Sequence, residues 1–296
     1  MKKRKLLYLF TGLILLVVTL SGTYASARDE VVLTYQTWTE HYILGDIFRI
    51  LLEEQTDIPL EISELESFAL QLEAYKADHV DIMLGYTASM YMNVFGDTGL
   101  RDPDEIFDYV IEKSREEYDL VWLERLGFNN NYDLAVRPEV AEKYDLETYS
   151  DLAEVSENLV IAGDINFMDR PDTYPLLQEK YGMDFRDIMT VGVTLKYPTI
   201  ANAQADVVNS YTTDAKIEEL NLTVLEDDKH AFPSYDAAVM VRAEVLEEYP
   251  YLEEVLNRLA GKISTDEMRK MNYQVSIEHK DSEIVARDFL EEAGLI

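Results

Sequence analysis

From residue 31 onward, short β-rich runs alternate with amphipathic helical stretches, and this alternation limits the possible folds more than any other feature. Residues 31–35 (Val31-Val32-Leu33-Thr34-Tyr35) read as a strand, and 42–54 as a helix with apolar residues at helical spacing. A second strand is expected at 58–62, a helix at 66–77 and a third strand at 81–84. Asp102-Pro103-Asp104-Glu105 marks a helix start, because proline suits the first turn and acids favour the positive end of the helix dipole. Later strands are expected at 134–136, 159–162, 189–191, 206–208, 222–225 and 237–241. Further helices are expected at 174–181, 243–249, 252–260 and 283–293. The pattern predicts an α/β protein with largely parallel sheets. One doubly wound domain and two lobes joined by repeated crossings fit it equally.

The N-terminal residues read as an export signal. Lys2, Lys3, Arg4 and Lys5 precede an apolar run from Leu6 to Leu20, and Ala25-Ser26-Ala27 fits the small-residue cleavage rule. Cleavage after Ala27 and retention as an anchor both remain open. The formal charge of −32 becomes −36 once the four basic residues of 1–27 are removed, since that segment holds no acid. Such acidity argues against nucleic acid and against an anionic membrane surface as partners. It would draw a cationic ligand, and it also keeps a protein in solution. The chain has no cysteine, which rules out disulfides, thiol catalysis and cysteine metal sites. Its four histidines, His41, His79, His230 and His279, are scattered without metal-ligand spacing.

No Gly-x-Ser-x-Gly elbow, phosphate-cradling glycine loop or His-Glu-x-x-His motif is present. With 58 acids, adjacent carboxylates such as Asp227-Asp228 select no hydrolase pair. One internal echo is more informative. Asp81-Ile82-Met83-Leu84-Gly85-Tyr86-Thr87 resembles Asp206-Val207-Val208-Asn209-Ser210-Tyr211-Thr212, with Tyr-Thr five and six residues after the aspartate in both. Ligands of parallel α/β sheets bind beyond the carboxyl ends of the strands, where both Tyr-Thr pairs are expected. Tyrosine outnumbers phenylalanine 20 to 10. Aromatic faces attract a quaternary ammonium, which has no hydrogen to donate, and tyrosine suits an open cleft because its hydroxyl stays satisfied. A tyrosine at a strand end also packs or caps, so these residues alone leave both roles open.

Several stretches occur in an order that resembles the substrate-binding proteins of glycine betaine/carnitine/choline ABC importers, along essentially the whole chain after the signal. They are Gln36-Thr37-Trp38-Thr39-Glu40-His41-Tyr42-Ile43-Leu44-Gly45, Leu126-Gly127-Phe128-Asn129-Asn130-Asn131-Tyr132, Asp169-Arg170-Pro171-Asp172 and Ser210-Tyr211-Thr212-Thr213-Asp214. Leu225-Glu226-Asp227-Asp228-Lys229, Pro233-Ser234-Tyr235-Asp236-Ala237-Ala238 and Leu259-Ala260-Gly261-Lys262-Ile263 complete the set. The resemblance implies a two-lobed fold of the periplasmic-binding-protein type, each lobe a mixed, mostly parallel sheet flanked by helices. Residues 28–130 with 237–296 would form one lobe and 131–236 the other, closing on ligand about crossings near 131–136 and 232–238.

It further implies an aromatic cage of Tyr86, Tyr132, Tyr211 and Tyr235 around a trimethylammonium group. Arg170 would hold a ligand carboxylate, unless it only pairs with Asp169 or Asp172. Gln36 and Asn130 would line the pocket, and Ser89 would help to set ligand range. The expected protein is a monomeric, exported binder of glycine betaine or a similar osmoprotectant that delivers it to an importer permease. It would need no catalysis, metal or cofactor. A choline or carnitine preference, or a secreted hydrolase, is the alternative. Two departures from the family pattern stand out. Leu20-Ser21-Gly22 is followed by Thr23 where tethered members carry a lipidated cysteine. Ala88 replaces a glycine after Tyr86-Thr87, which puts the course of that loop in question.

Overall fold

The computed structural model describes residues 30–170 and 173–296, so the expected export segment at 1–27 lies outside the described residues. Ten strands form in chain order. They are β1 (Val31–Gln36), β2 (Leu60–Leu65), β3 (Ile82–Tyr86), β4 (Leu120–Asn129) and β5 (Tyr132–Val136), then β6 (Val160–Asp164), β7 (Asp187–Val191), β8 (Val207–Tyr211), β9 (Thr223–Val224) and β10 (Asp236–Arg242). They make two five-stranded sheets, ordered β2-β1-β3-β10-β4 and β7-β6-β8-β5-β9. Within each sheet four strands share one direction, and one strand, β10 or β5, runs against them. The two sheets thus repeat one plan, with β3 and β8 in equivalent central positions. The echo in the sequence is a structural repeat.

Each sheet is covered by its own apolar core. In the first, Leu33, Leu84 and Val239 pack against Ile43, Leu44 and Ile47 of helix Thr39–Gln55 and against Val285 and Phe289 of helix Ser282–Glu292. On its other face, Met83, Met240 and Trp122 meet Ile106 and Val110 of helix Pro103–Tyr118. The second sheet packs Leu134, Ile161 and Val207 against Tyr149, Leu152 and Leu177. Each fully buried side chain of this size contributes roughly 1.5–3 kcal/mol by leaving water. Two separate cores leave the space between the sheets free for a site.

Local chemistry fixes the element ends. Asp102 caps helix Pro103–Tyr118, its Oδ1 accepting from the Asp104 and Glu105 amides at 2.9 and 3.1 Å. The second strand starts two residues later than the pattern predicts, at Leu60, because Pro59 has no amide to donate and instead accepts from Val31 N–H at 2.8 Å. Gly127 has φ of +114° and runs so close to Gly261 that an added Cβ would stand 2.9 Å from the Gly261 Cα. Two of the stretches quoted above therefore meet, and they anchor the end of β4.

The chain leaves the first sheet after Asn129 and enters the second at Tyr132; it returns between β9 and β10. The crossing segments are tied to each other, with Asn130 N–H on Tyr235 O at 3.1 Å and Tyr235 N–H on Asn131 Oδ1 at 2.7 Å. The echoed threonines hold them in matching fashion. Thr87 Oγ1 donates to Ser234 O at 2.8 Å and accepts from Asp236 N–H at 3.1 Å. Thr212 Oγ1 donates to Asn129 O at 2.7 Å and accepts from Asn131 N–H at 3.1 Å. Each hydroxyl clips residues n and n+2 of one crossing.

Candidate functional site

A cleft of about 810 Å³ opens between the two sheets, at the carboxyl ends of β1, β3 and β8. Its wall includes all eight residues singled out in the sequence: Gln36, Tyr86, Ser89, Asn130, Tyr132, Arg170, Tyr211 and Tyr235. Their places follow from the topology. Gln36, Tyr86 and Tyr211 end β1, β3 and β8, Tyr132 opens β5, and Tyr235 directly precedes β10. Asn130 sits in the first crossing. Ser89 starts the turn Ser89–Val94, and Arg170 follows helix Ile165–Asp169. Ala88 adopts ordinary right-handed backbone, with φ of −67°, and its methyl is fully buried.

The aromatic residues form two groups. On the first-sheet side, Trp38 and Tyr86 lie with ring centroids 6.4 Å apart, and Trp38 packs at a tilt against His41 at 4.7 Å. His41 accepts the Gln36 N–H on Nδ1 at 3.0 Å, and burial pushes its pKa down to about 3, so the ring backing Trp38 is neutral. On the second-sheet side, Tyr132 and Tyr211 are cross-strand partners with centroids 5.0 Å apart. Tyr132 also leans on Phe167 and Phe232, at 6.2 and 5.9 Å. Arg170 Nη1 reaches the Tyr132 hydroxyl at 3.4 Å, with its guanidinium carbon 5.9 Å from the ring centroid.

The electrostatics of the two sides differ. Tyr86 Oη donates to Glu40 Oε1 at 2.5 Å, and Asn130 Nδ2 and Asn272 Nδ2 donate to the same carboxylate at 3.1 and 3.0 Å. Burial raises the Glu40 pKa above the usual carboxylate range, against hydrogen bonds from Thr213, Tyr86, Asn272 and Asn130 that pull it down. Burial, with the Glu40 charge next, raises Tyr86 well above the ordinary phenol range. Tyr211 instead has Lys196 Nζ 5.4 Å from its ring centroid, and that lysine is 3.8 Å from Asp214. Burial pulls the Lys196 pKa down, and Asp214 opposes the shift.

Sequence reasoning missed several wall residues: Glu40, Phe68, Met92, Asp214 and Asn272, and it gave Trp38 no role in the cage. Glu40 lay inside a quoted stretch but was one acid among 58. Asn272 sits on helix Thr265–Ser276, which was not predicted, although Ser264 and Glu267 spell a capping signal. Among the described residues no group of three or more His, Cys, Asp or Glu is placed to hold a metal.

Comparison with known proteins puts this cleft in context. Residues 29–292 match the family model described as the substrate-binding domain of ABC-type glycine betaine transport systems. The carnitine transport binding protein OpuCC of Listeria monocytogenes is 34% identical over 288 residues, covering 96% of this chain and 94% of its own. The ergothioneine transport permease/ergothioneine binding protein EgtU of Helicobacter pylori is 32% identical over 99% of this chain, which spans only 54% of that longer protein. A solved structure described as a glycine betaine/carnitine/choline ABC transporter superposes with a TM-score of 0.86 at 30% identity, covering 90% of this chain and 99% of the other.

Proposed function

The chain belongs to the substrate-binding family of ABC-type glycine betaine transport systems, and from that premise we propose that it captures a trimethylammonium osmoprotectant, such as glycine betaine, in the cleft between its sheets. As a family member it is a solute-binding protein of an ABC importer, works outside the cytoplasm and is not an enzyme. Among the described residues no helix is long and apolar enough to cross a membrane. The finer assignments are part of the proposal. Residues 1–27 direct export, the lobes are 28–130 with 237–296 and 131–236, and they close on the ligand as a monomer that docks on a permease.

The observation that carries the ligand class is the pair of aromatic groups, Trp38 with Tyr86 and Tyr132 with Tyr211, facing one cleft from opposite sheets. Tyr235 lines the same cleft from the crossing. Rings on several sides suit a cation that cannot donate a hydrogen bond, at about 0.5–2 kcal/mol each. Arg170 beside Tyr132 supplies a guanidinium for a carboxylate, as in glycine betaine or carnitine. Gln36, Ser89 and Asn130 add polar groups for the rest of the ligand.

Calorimetric titration with glycine betaine, carnitine, choline and ergothioneine tests the reading, with 3,3-dimethylbutanol as the uncharged isostere of choline. Trimethylammonium compounds should bind and the isostere should not. Equal binding of choline and its isostere, or no heat with any cation, would refute the cage. Arg170→Ala should weaken glycine betaine about ten- to a hundredfold and choline far less. An unchanged ratio of the two constants would assign Arg170 to lobe closure.

A further inference from the structure

Glu40 has no role in a cage built from rings alone. It sits in the first turn of helix Thr39–Gln55 and is 1% exposed. Both of its oxygens are taken by neutral donors: Tyr86 and Asn130 on Oε1, Asn272 on Oε2. Among the described residues no lysine, arginine or histidine pairs with it. The titratable or charged groups facing it are few. His41 on its own helix is neutral, Tyr86 on β3 donates to it, and Asp214 and Lys216 line the opposite wall. Arg269, on helix Thr265–Ser276, is spent on the Thr212 carbonyl and Asp266. The helix N-terminus offers partial positive charge, but no full cation balances the carboxylate. Burial without a counter-cation favours the neutral acid, while the hydrogen bonds donated to its oxygens favour the ionised one, so the group is poised between the two forms.

We propose that Glu40 is the charge behind the cage: acting through the Tyr86 ring, it holds a cationic head group and gives its proton to solvent when the ligand binds. This rests on the trimethylammonium reading above and adds a positioning residue to it. The O–H bond of the Glu40 carboxyl breaks, the electron pair stays on the carboxylate, and the bound ammonium supplies the positive charge the site otherwise lacks. The ionised carboxylate draws on the Tyr86 hydroxyl proton, which enriches the ring and strengthens its hold on a cation. Asn272 carries the effect further, because its Nδ2 is shared between Glu40 Oε2 and the Thr213 carbonyl, both at 3.0 Å. Ionisation of Glu40 thereby tightens a link between the first sheet and the loop after β8.

The test is calorimetry on the purified protein with choline and with glycine betaine, in buffers of different ionisation enthalpy, from about pH 5 to about pH 8. The parent should release a measurable fraction of a proton per ligand bound, and its affinity should rise with pH. Glu40→Gln keeps an oxygen for the Tyr86 hydroxyl but loses the charge. It should weaken both ligands by a similar factor, about tenfold or more, and flatten the pH profile. A purely structural Glu40 predicts the reverse: no proton release, a flat parent profile and binding rescued by glutamine. Should Glu40→Gln fail to fold, proton release by the parent decides alone. A parent that binds no trimethylammonium compound overturns the ligand class and this inference together; a parent that binds without releasing protons overturns only the inference.

Discussion

The two Tyr-Thr strand ends share one motif and sit in opposite electrostatic settings. Tyr86 ends β3 with its hydroxyl on a buried carboxylate, and Tyr211 ends β8 with an ammonium over its ring. The threonines beside them do the same work, each clipping one crossing segment with one bond given and one received. Repetition thus fixed where the tyrosines stand and how the crossings are held, while the surrounding residues set what each ring can attract. The side bearing Glu40 and the side bearing Lys196 and Arg170 differ in the charge they can offer a ligand.

The largest effect that can sharpen this contrast comes from the buried acids, because each half has one held by a tyrosine. Asp133 on β5 accepts the Tyr149 hydroxyl at 2.7 Å, as Glu40 accepts that of Tyr86. Burial pushes the Asp133 pKa up to about 7, against hydrogen bonds from Tyr149 and Leu134. A carboxyl whose folded pKa is raised stabilises the fold below its unfolded pKa of about 3.9 and loses that contribution as pH rises to the folded value. Stability should therefore fall by a few kcal/mol, at about 1.4 per pKa unit, between about pH 4 and pH 7. Asp133→Asn should remove most of that slope in urea titrations. Asp133 is not in the cleft wall, so ligand should leave its titration untouched. A shift on binding would erase the distinction between the two acids.

Next in size is the hydroxyl of the tyrosine at each strand end. Tyr86→Phe takes the shortest donor from a buried carboxylate and should cost about 1–3 kcal/mol of stability. Tyr211→Phe removes a hydroxyl from a ring that packs on Tyr132, centroids 5.0 Å apart, and should cost under about 1 kcal/mol. Equal losses in thermal melts would mean that Glu40 does not set the first half apart. The threonine clips make the complementary claim of sameness. Thr87→Val and Thr212→Val should each lower stability by about 1 kcal/mol, since each removes one given and one received bond. A marked inequality between them would show that one crossing carries more of the fold than the other.

How much of this was legible in the sequence divides along physical lines. Local signals read correctly: Asp102 and Pro103 start a helix where predicted, the spacing at 174–181 gives helix Tyr174–Tyr181, and β1 follows its β-branched run. Tyr86 and Tyr211 could be named from the echo at two strand ends, Tyr132 and Tyr235 only from the family resemblance, and the cleft wall includes all four. What escaped had no local signature. β4 is the longest strand, but Glu124, Arg125 and Gly127 interrupt its apolar pattern, and it is completed by pairing with β10 more than a hundred residues on. Helix Thr265–Ser276 sets a short apolar stripe of Met268, Met271 and Val275 on an otherwise polar segment, so the stripe is easily overlooked. Glu40 and Asn272 meet across 232 positions, and only the fold brings them together.

The smallest effect is the most discriminating, because it concerns the cation already present at Tyr211. Lys196 does not line the cleft, so its ammonium approaches the ring from the protein side. It also stands 5.0 Å from the Tyr197 ring centroid, and both the Tyr197 hydroxyl and the Tyr211 amide donate to Asp214. A ring that already faces one cation has less electron density for another. Lys196→Met keeps the length of the side chain and removes the charge. Asp214 retains its two donors, so the local fold should survive. Choline should then bind a few tenths to about 1 kcal/mol more tightly, with Tyr211 contributing more nearly what Tyr86 does. Glycine betaine should gain less, because the positive side of the cleft that favours its carboxylate is weakened at the same time. Titrating both ligands against parent and variant gives the ratio directly. Weaker choline binding in Lys196→Met would show that the ammonium supports the Tyr211 ring mechanically, and that the two halves differ in packing and not in charge.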